Sequence, residues 1–263
     1  MDINQTNEAL TSYVRPQSMP LAVRMCESVE ELPERVRIPS RDLGFKIATC
    51  QGISMARRYG WTLAIGRDDL TCPLPGLAMG FLPPKDGYLD GSFMESQGFG
   101  SREAQARTAQ ALPKLEYGKY KYMLVGPLAR ASFEPHVLLV YGNPAQVLVM
   151  LGGRLHGEGG SLNFTAAEGM SCIFSTVTPI LTGECQVVLP GVGERINAMT
   201  TPDEMAFAIP ASRVEHFVDG LATGYRTGVL RYPTPTWLRF QPQHPPYLTK
   251  LLEYLTEDDQ SSG

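Results

Sequence analysis

Short apolar runs alternate with longer amphipathic stretches along the chain. Runs rich in β-branched and aromatic residues predict strands, and apolar positions at helical spacing predict helices. The predicted strands span residues 20–25, 61–66, 91–96, 121–128, 136–142, 186–191 and 205–210. The predicted helices span residues 28–36, 44–60, 101–112, 144–153, 170–183, 212–221 and 247–255. This pattern predicts an α/β fold, with α+β as the alternative, built from mixed sheets and flanking helices.

The order of these elements repeats along the chain. In each half a strand and a helix precede a cysteine-bearing helical stretch, then a strand that leads to a Pro-Gly turn, then a further strand and helix. Cys50 and Cys172 hold matching places, and Cys72 matches Gly191. A repeated order and spacing indicates duplication. We therefore expect a loose segment at 1–18, similar halves at 19–120 and 121–230, and a proline-rich arm with a helix at 231–263.

Two similar halves usually pack about a pseudo-twofold axis. Equivalent positions then approach that axis, so Cys50 and Cys172 are expected to lie close together despite their separation in sequence. Cys72 follows a strand, where sites in α/β proteins commonly form. The duplication thus predicts one compact body with a thiol site between its halves.

Composition excludes several classes of protein. Of 263 residues, 43% are hydrophobic and 19% are charged, so the chain can bury a core. The net charge is −4 and no basic tract stands out, which argues against nucleic-acid binding. No apolar run reaches the roughly 18 residues of a membrane helix, and the polar start of the chain is unlike a secretory signal. We expect a cytoplasmic protein.

Five widely spaced cysteines carry the candidate chemistry. A reducing compartment disfavours structural disulfides. Core packing, metal ligation and thiol chemistry therefore all stay open. Three thiolates from Cys50, Cys72 and Cys172 could hold an iron–sulfur cluster or a zinc ion with an open coordination position. No CxxC spacing occurs, so this prediction depends on the fold bringing the three together.

Cys72 is also a candidate nucleophile in the stretch DDLTCPLPG. A nearby cation would favour its thiolate, whereas Asp68 and Asp69 oppose ionisation. These two acids could assist acid–base chemistry, or they could simply stabilise the turn. Arg195 lies just past the second Pro-Gly turn and could bind a substrate anion, or form a surface salt bridge.

Other motifs give weaker signals. His156 lies in a glycine-dense segment and fits a surface loop better than a general base. The GEGG run lacks the ending of a phosphate-binding loop. The C-terminal arm is expected to wrap the body or a second subunit, which makes a homo-oligomer possible. Its aromatic residues are Tyr232, Trp237, Phe240 and Tyr247.

Longer motifs resemble one family. They include PLAVRM, SVEELPE, TCPLPGLAMG, KYKYMLVGPL, PHVLLVYGNPAQVLVML, QVVLPG, DEMAFAIPASRVEHFVDGL and RYPTPTWLRF. Together, over residues 18–250, they resemble domain-of-unknown-function family 169, the ArCR group. The resemblance implies anaerobic and archaeal relatives, which fits oxygen-sensitive thiol or cluster chemistry, and it brings no catalytic residues. Leu74 and Pro75 depart from the family pattern after Cys-Pro.

These observations predict an enzyme with a metal, iron–sulfur or reactive-thiol site between two halves. Cys72 and Arg195 are its predicted catalytic residues, and Cys50, Cys72 and Cys172 its predicted ligands. The partner is expected to be a small molecule, with neither nucleic acid nor membrane involved. The alternative is a non-catalytic protein that binds a small ligand or a metal.

Overall fold

The computed structural model describes residues 2–167, 170–234 and 244–256. The chain divides into two compact units, Met1–Pro233 and Thr234–Gly263. The second unit contributes one described helix, Pro246–Thr256. Trp237 and Phe240 of the predicted aromatic arm lie outside the described residues. Among the described residues, no helix has the length and apolar character that crossing a membrane requires.

One six-stranded antiparallel sheet forms the centre of the first unit, in the order β2-β3-β1-β4-β6-β5. The central pair joins Leu21 to Leu139 and Val23 to Val137. The sheet therefore consists of two three-strand groups that meet at β1 and β4. The strands are β1 (Leu21–Cys26), β2 (Leu63–Gly66), β3 (Tyr122–Pro127), β4 (Val137–Gly142), β5 (Gln186–Val188) and β6 (Met205–Pro210).

Short helices connect and cover these strands. The α-helices are α1 (Ile3–Ala9), α2 (Thr49–Tyr59), α3 (Pro73–Ala78), α4 (Asp86–Leu89), α5 (Ser92–Ser96), α6 (Arg102–Ala111), α7 (Pro144–Leu155), α8 (Ser171–Phe174), α9 (Val177–Thr182), α10 (Val192–Asn197), α11 (Val214–Arg226) and α12 (Pro246–Thr256). Tighter 3₁₀ turns cover Val29–Glu31, Arg67–Asp69, Leu128–Arg130 and Ala211–Arg213, and π-helical turns cover Leu10–Val14 and Pro39–Leu43.

Both faces of the sheet are buried. On one face, side chains such as Val23 and Leu139 pack with α2, α3, α8 and α9 in a single core cluster. On the other face, Leu138 and Phe207 pack with α1, α7 and α11. A smaller cluster beside the 29–38 segment contains Cys26 and Leu124. Successive residues of a strand thus point into different cores. Because both cores are apolar, the strands have nearly continuous apolar sequences.

Several expectations from the sequence differ from the structure, including the helix predicted at 28–36, where only a 3₁₀ turn at Val29–Glu31 forms. The sheet is antiparallel rather than mixed, because runs that are apolar on both faces do not reveal strand direction. Residues 92–96 form α5 rather than a strand. Residues 2–18 are ordered rather than loose: α1 and the turn that follows it bury Leu10 and Val14 against the second core cluster.

A buried arginine links the two strand groups. Arg57 on α2 is 1% exposed and donates to Glu204, with 2.5 Å between Nη1 and Oε1. Its guanidinium also lies 4.0 Å from the centre of the Tyr141 ring on β4. Burial alone would raise the pKa of Glu204, but hydrogen bonds from Arg57 and the Thr201 amide outweigh it and lower that pKa. The pair therefore exists as ions inside the core.

We predict that Gly220→Ala destabilises the protein by about 2–3 kcal/mol, the upper part of the range for overpacking. A Cβ at Gly220 on α11 would lie 2.1 Å from the carbonyl oxygen of Gly153 on α7. This oxygen belongs to the backbone of a helix, so it cannot move aside as a flexible side chain could. Urea unfolding measures the change. Gly193→Ala is the control, because a Cβ there meets open space in a helix. An equal effect of the two substitutions would contradict this packing argument.

We predict that Arg57→Met destabilises the protein by about 3 kcal/mol at pH 7, since it leaves a buried carboxylate without its main partner. Arg58 still contacts Glu204 at 3.2 Å, which limits the loss. The control is Arg102→Met, which removes an exposed pair with Asp90 and is expected to cost under about 1 kcal/mol.

The loss of stability in Arg57→Met also depends on pH. Because the folded pKa of Glu204 is lowered, its stabilising effect is complete above the unfolded value of about 4.3 and disappears as pH falls through the folded value. The stability difference between wild type and Arg57→Met is therefore expected to shrink below about pH 4.3. A difference that grows in acid would contradict the ionised pair.

Candidate thiol site

Three cysteines line one pocket of about 460 Å³, which we call the thiol pocket. Cys50, Cys72 and Cys172 reach it from three separate segments of the chain. Its lining residues are Lys46, Ala48, Thr49, Cys50, Gln51, Thr71, Cys72, Pro75, Ser171, Cys172, Gly191, Gly193, Glu194 and Asn197. The structure thus brings together the three thiols that the sequence singled out.

Helix starts position each thiol. Cys50 is the second residue of α2, and Cys172 is the second residue of α8. Cys72 immediately precedes α3. Pro73 is suited to the first position of this helix, because an amide N–H there would have no partner within the helix. Gly191 occupies the corresponding place before α10. Gly191, which has no side chain, lines the same pocket as Cys72.

Glu194 is a buried carboxylate in the wall of the pocket. It is 4% exposed and accepts hydrogen bonds from the Tyr141 hydroxyl and, at 2.5 Å, from the Ser171 hydroxyl. Ser171 in turn accepts from the Gly191 amide at 3.0 Å. Since Tyr141 also stacks on Arg57, the carboxylate is part of the buried network that joins the strand groups.

The environment keeps two of the thiols protonated. Burial raises the pKa of Cys50 to about 11, with a further contribution from the charge of Glu194. Burial and Glu194 raise the pKa of Cys172 well above its usual value, and the other two cysteines add to the effect. A cation in the pocket would reverse these shifts by stabilising thiolates.

The side chains do not converge as a closed metal site. Within the described ranges, no group of three or more His, Cys, Asp and Glu side chains is placed so that it could hold a metal ion. The Thr49 hydroxyl, in a residue 1% exposed, has no hydrogen-bond partner in the described part of the chain. An unused hydroxyl donor and three thiols therefore border this pocket.

Arg195 does not line the thiol pocket. Its guanidinium donates to the backbone carbonyl oxygens of Thr201 and Glu204, so it stabilises the loop before β6. The lining cation is Lys46, which is exposed. Asp69 is buried and accepts from the amides of Gly66 and Ser40, which is the turn-stabilising role rather than the acid–base role.

Sequence reasoning missed the residues that surround the thiols. Glu194 is adjacent to Arg195 and three residues beyond Gly191, so the proposed match between Gly191 and Cys72 already pointed to this turn. Tyr141 and Ser171 gave no signal, because a tyrosine in a strand and a serine at a helix start usually serve packing and capping. Lys46 gave none either, since lone lysines are common on surfaces.

An apolar cleft of about 620 Å³ opens on the other side of Cys72. Leu74, Leu77, Tyr88 and Phe93 are among its lining residues, and Lys85 supplies its cation. Cys72 is common to this cleft and to the thiol pocket. Cys26 and Cys185 are buried in other core clusters and do not line the pocket.

We predict that Glu194→Gln lowers the pKa of Cys50 below its value of about 11, because it removes a nearby negative charge. The measurement is the pH dependence of iodoacetamide labelling at Cys50, in a Cys72→Ser background. Glu158→Gln, in an ion-pair network outside the pocket, is the control and is expected to leave the profile unchanged. An unchanged profile in Glu194→Gln would contradict the coupling.

Comparison with known proteins supports the resemblance seen in the motifs. No curated protein and no solved structure matches the chain. A family model described as "Uncharacterised ArCR" matches residues 9–220, which include all three thiols, Glu194 and the whole six-stranded sheet. The chain therefore belongs to domain-of-unknown-function family 169.

Proposed function

We propose that the thiol pocket binds a thiophilic metal ion or an iron–sulfur centre through Cys50, Cys72 and Cys172, in an enzyme that acts on a small molecule. The observation that carries this proposal is the gathering of three thiols from distant segments around one pocket of about 460 Å³. Random packing of cysteines would place them in separate parts of the core, as with Cys26 and Cys185.

The chemistry of the donors favours a soft metal over a role for Cys50 or Cys172 as a metal-free nucleophile. Thiolates prefer zinc, copper(I) and iron–sulfur clusters. The raised pKa values of Cys50 and Cys172 keep these thiols neutral and unreactive near pH 7, unless a cation stabilises their ionised forms. The buried carboxylate of Glu194 adds negative charge that attracts such a cation. Binding requires the three side chains to rotate toward a common centre.

Three protein ligands would leave a coordination position for a substrate. The residues around that position have distinct capacities. Lys46 can attract an anionic group, Thr49 has an unused hydroxyl, and the carboxylate of Glu194 can accept hydrogen bonds. Cys72 is the ligand with the easiest access from outside, because it also borders the apolar cleft.

We further infer that the two strand groups arose by duplication and are related by a pseudo-twofold axis. The order β2-β3-β1 followed by β4-β6-β5 supports this, since each group places its third strand between its first and second. A 3₁₀ turn ending in arginine follows both β3 and β6. Because β3 pairs with β1 and β2, the halves would divide within 128–136 rather than between 120 and 121.

A cytoplasmic location is part of the proposal. All five cysteines are free, which supports a reducing compartment.

A homo-oligomer formed through the C-terminal arm also stays a proposal. The amphipathic helix α12 supports the homo-oligomer, because its leucines Leu251, Leu252 and Leu255 are exposed and could pack against a second subunit.

We predict that wild-type protein purified anaerobically from iron- and zinc-replete cells contains bound metal, and that Cys50→Ser, Cys72→Ser and Cys172→Ser each reduce its content at least tenfold. Elemental analysis measures the metal, and visible absorbance distinguishes an iron–sulfur centre from zinc. Cys26→Ser and Cys185→Ser are matched controls, because both residues are buried free cysteines outside the pocket.

Equal metal content in the pocket variants and in the controls would refute the proposed ligands, as would metal-free wild-type protein. Metal that is bound by all three cysteines without any turnover of small molecules would favour the alternative, a metal-binding protein that is not an enzyme. The folded state of each variant is checked by circular dichroism, so that loss of metal is not confused with unfolding.

A further inference from the structure

A second cleft, of about 860 Å³, lies at the opposite end of α2 from the thiol pocket. We call it the arginine cleft. Thr49 and Cys50 begin α2 at the thiol pocket, and Tyr59 and Gly60 end it at this cleft. Its lining residues are Pro33, Glu34, Arg35, Arg37, Tyr59, Gly60, Trp61, Thr62, Arg130, Ser132 and Phe133.

The lining of this cleft contains three arginines and one carboxylate. In the part of the chain that the structure describes, Arg35, Arg37 and Arg130 form no salt bridge within 4.0 Å. The guanidinium of Arg37 lies over the Trp61 ring, 4.4 Å from its centre. Glu34 is the single acid in the lining. The cleft therefore carries an excess of positive charge beside aromatic surface.

The second strand group contains a corresponding arginine in a different setting. Arg213 ends the 3₁₀ turn after β6, as Arg130 ends the turn after β3. Arg213 donates to the carbonyl of Gly183, the left-handed glycine after α9. Arg130 lies beside Gly60, the left-handed glycine after α2, with its Nη1 3.3 Å from a Cβ built there.

The residue that follows Gly60 is uncharged, whereas the residue that follows Gly183 is a carboxylate. Glu184 follows Gly183 in the second group and forms a salt bridge with Arg213. Glu158 forms a second salt bridge with Arg213, at 3.2 Å. Trp61 follows Gly60 in the first group. An indole thus stands where the second group has the carboxylate that neutralises its arginine. Arg130 consequently lines the cleft without a salt bridge to any carboxylate in the part of the chain that the structure describes.

We propose that the arginine cleft binds a nucleotide, with phosphate on Arg35 and Arg130 and the base against the Arg37–Trp61 stack. Guanidinium groups bind phosphate oxygens through paired hydrogen bonds. A guanidinium or aromatic plane stacks on a base. The volume of about 860 Å³ falls in the range of small-molecule sites. The carboxyl end of α2 carries partial negative charge, so phosphate affinity depends on the arginines.

Fluorescence of Trp61 tests this proposal directly. The chain has two tryptophans, so Trp237→Phe makes Trp61 the only one. ADP, adenosine and inorganic pyrophosphate are titrated into this full-length protein, with calorimetry as a second readout. We expect saturable quenching by ADP, at least tenfold tighter than by adenosine or pyrophosphate. Arg130→Gln and Arg35→Gln are each expected to weaken ADP binding at least tenfold.

Arg107→Gln on α6 is the matched control, because it removes an exposed arginine outside the cleft. The proposal is overturned if ADP gives no saturable signal by either method, or if Arg107→Gln weakens binding as much as Arg130→Gln. Pyrophosphate binding as tightly as ADP would overturn the nucleotide assignment. Cys50→Ser and Cys172→Ser are expected to bind ADP normally, so this test is independent of the thiol pocket.

Discussion

The fold depends on a charge that is held inside the protein. Arg57 belongs to the helix that follows β1, yet its partners Glu204 and Tyr141 belong to the second strand group. An arginine at 1% exposure is tolerated only when its charge and donors are satisfied. Correct docking of the two groups is what supplies those partners. The buried ion pair therefore specifies how the groups meet, at a cost in desolvation that apolar residues would avoid.

The same network extends to the thiol pocket. Tyr141 stacks on Arg57 with its ring and donates to Glu194 with its hydroxyl, and Glu194 accepts from Ser171 next to Cys172. Rigid packing and hydrogen bonding of this kind hold a functional group in one geometry. Cys50 and Cys72 lie on the other strand group's segments, so the pocket has its full set of thiols only when both groups are in place.

Much of this arrangement could be predicted from the chain. Matching places for Cys50 and Cys172 in a repeated order of elements led to the expectation that they meet, and both line one pocket with Cys72. Strand direction could not be predicted, because β4 is apolar at every position and reads alike in parallel and antiparallel sheets. The sequence pointed to Arg195 and gave no signal for its neighbour Glu194, because a sequence shows which side chains are charged but not which way a short helix turns them. The role of Arg57 depends on Glu204, 147 positions away, and local patterns carry no information on such pairs.

The central position of β1 and β4 explains why both strand groups belong to one polypeptide. β4 is buried at every position and β1 at every position except Arg24, and each strand is bonded to a neighbour on both sides. A separated group would expose its β1 or β4 as an open, hydrophobic edge, which recruits further chains into aggregates. Covalent linkage keeps the complementary edge at high local concentration during synthesis and folding. Under the proposed duplication, an ancestral single group would have needed a second copy of itself to cover that edge.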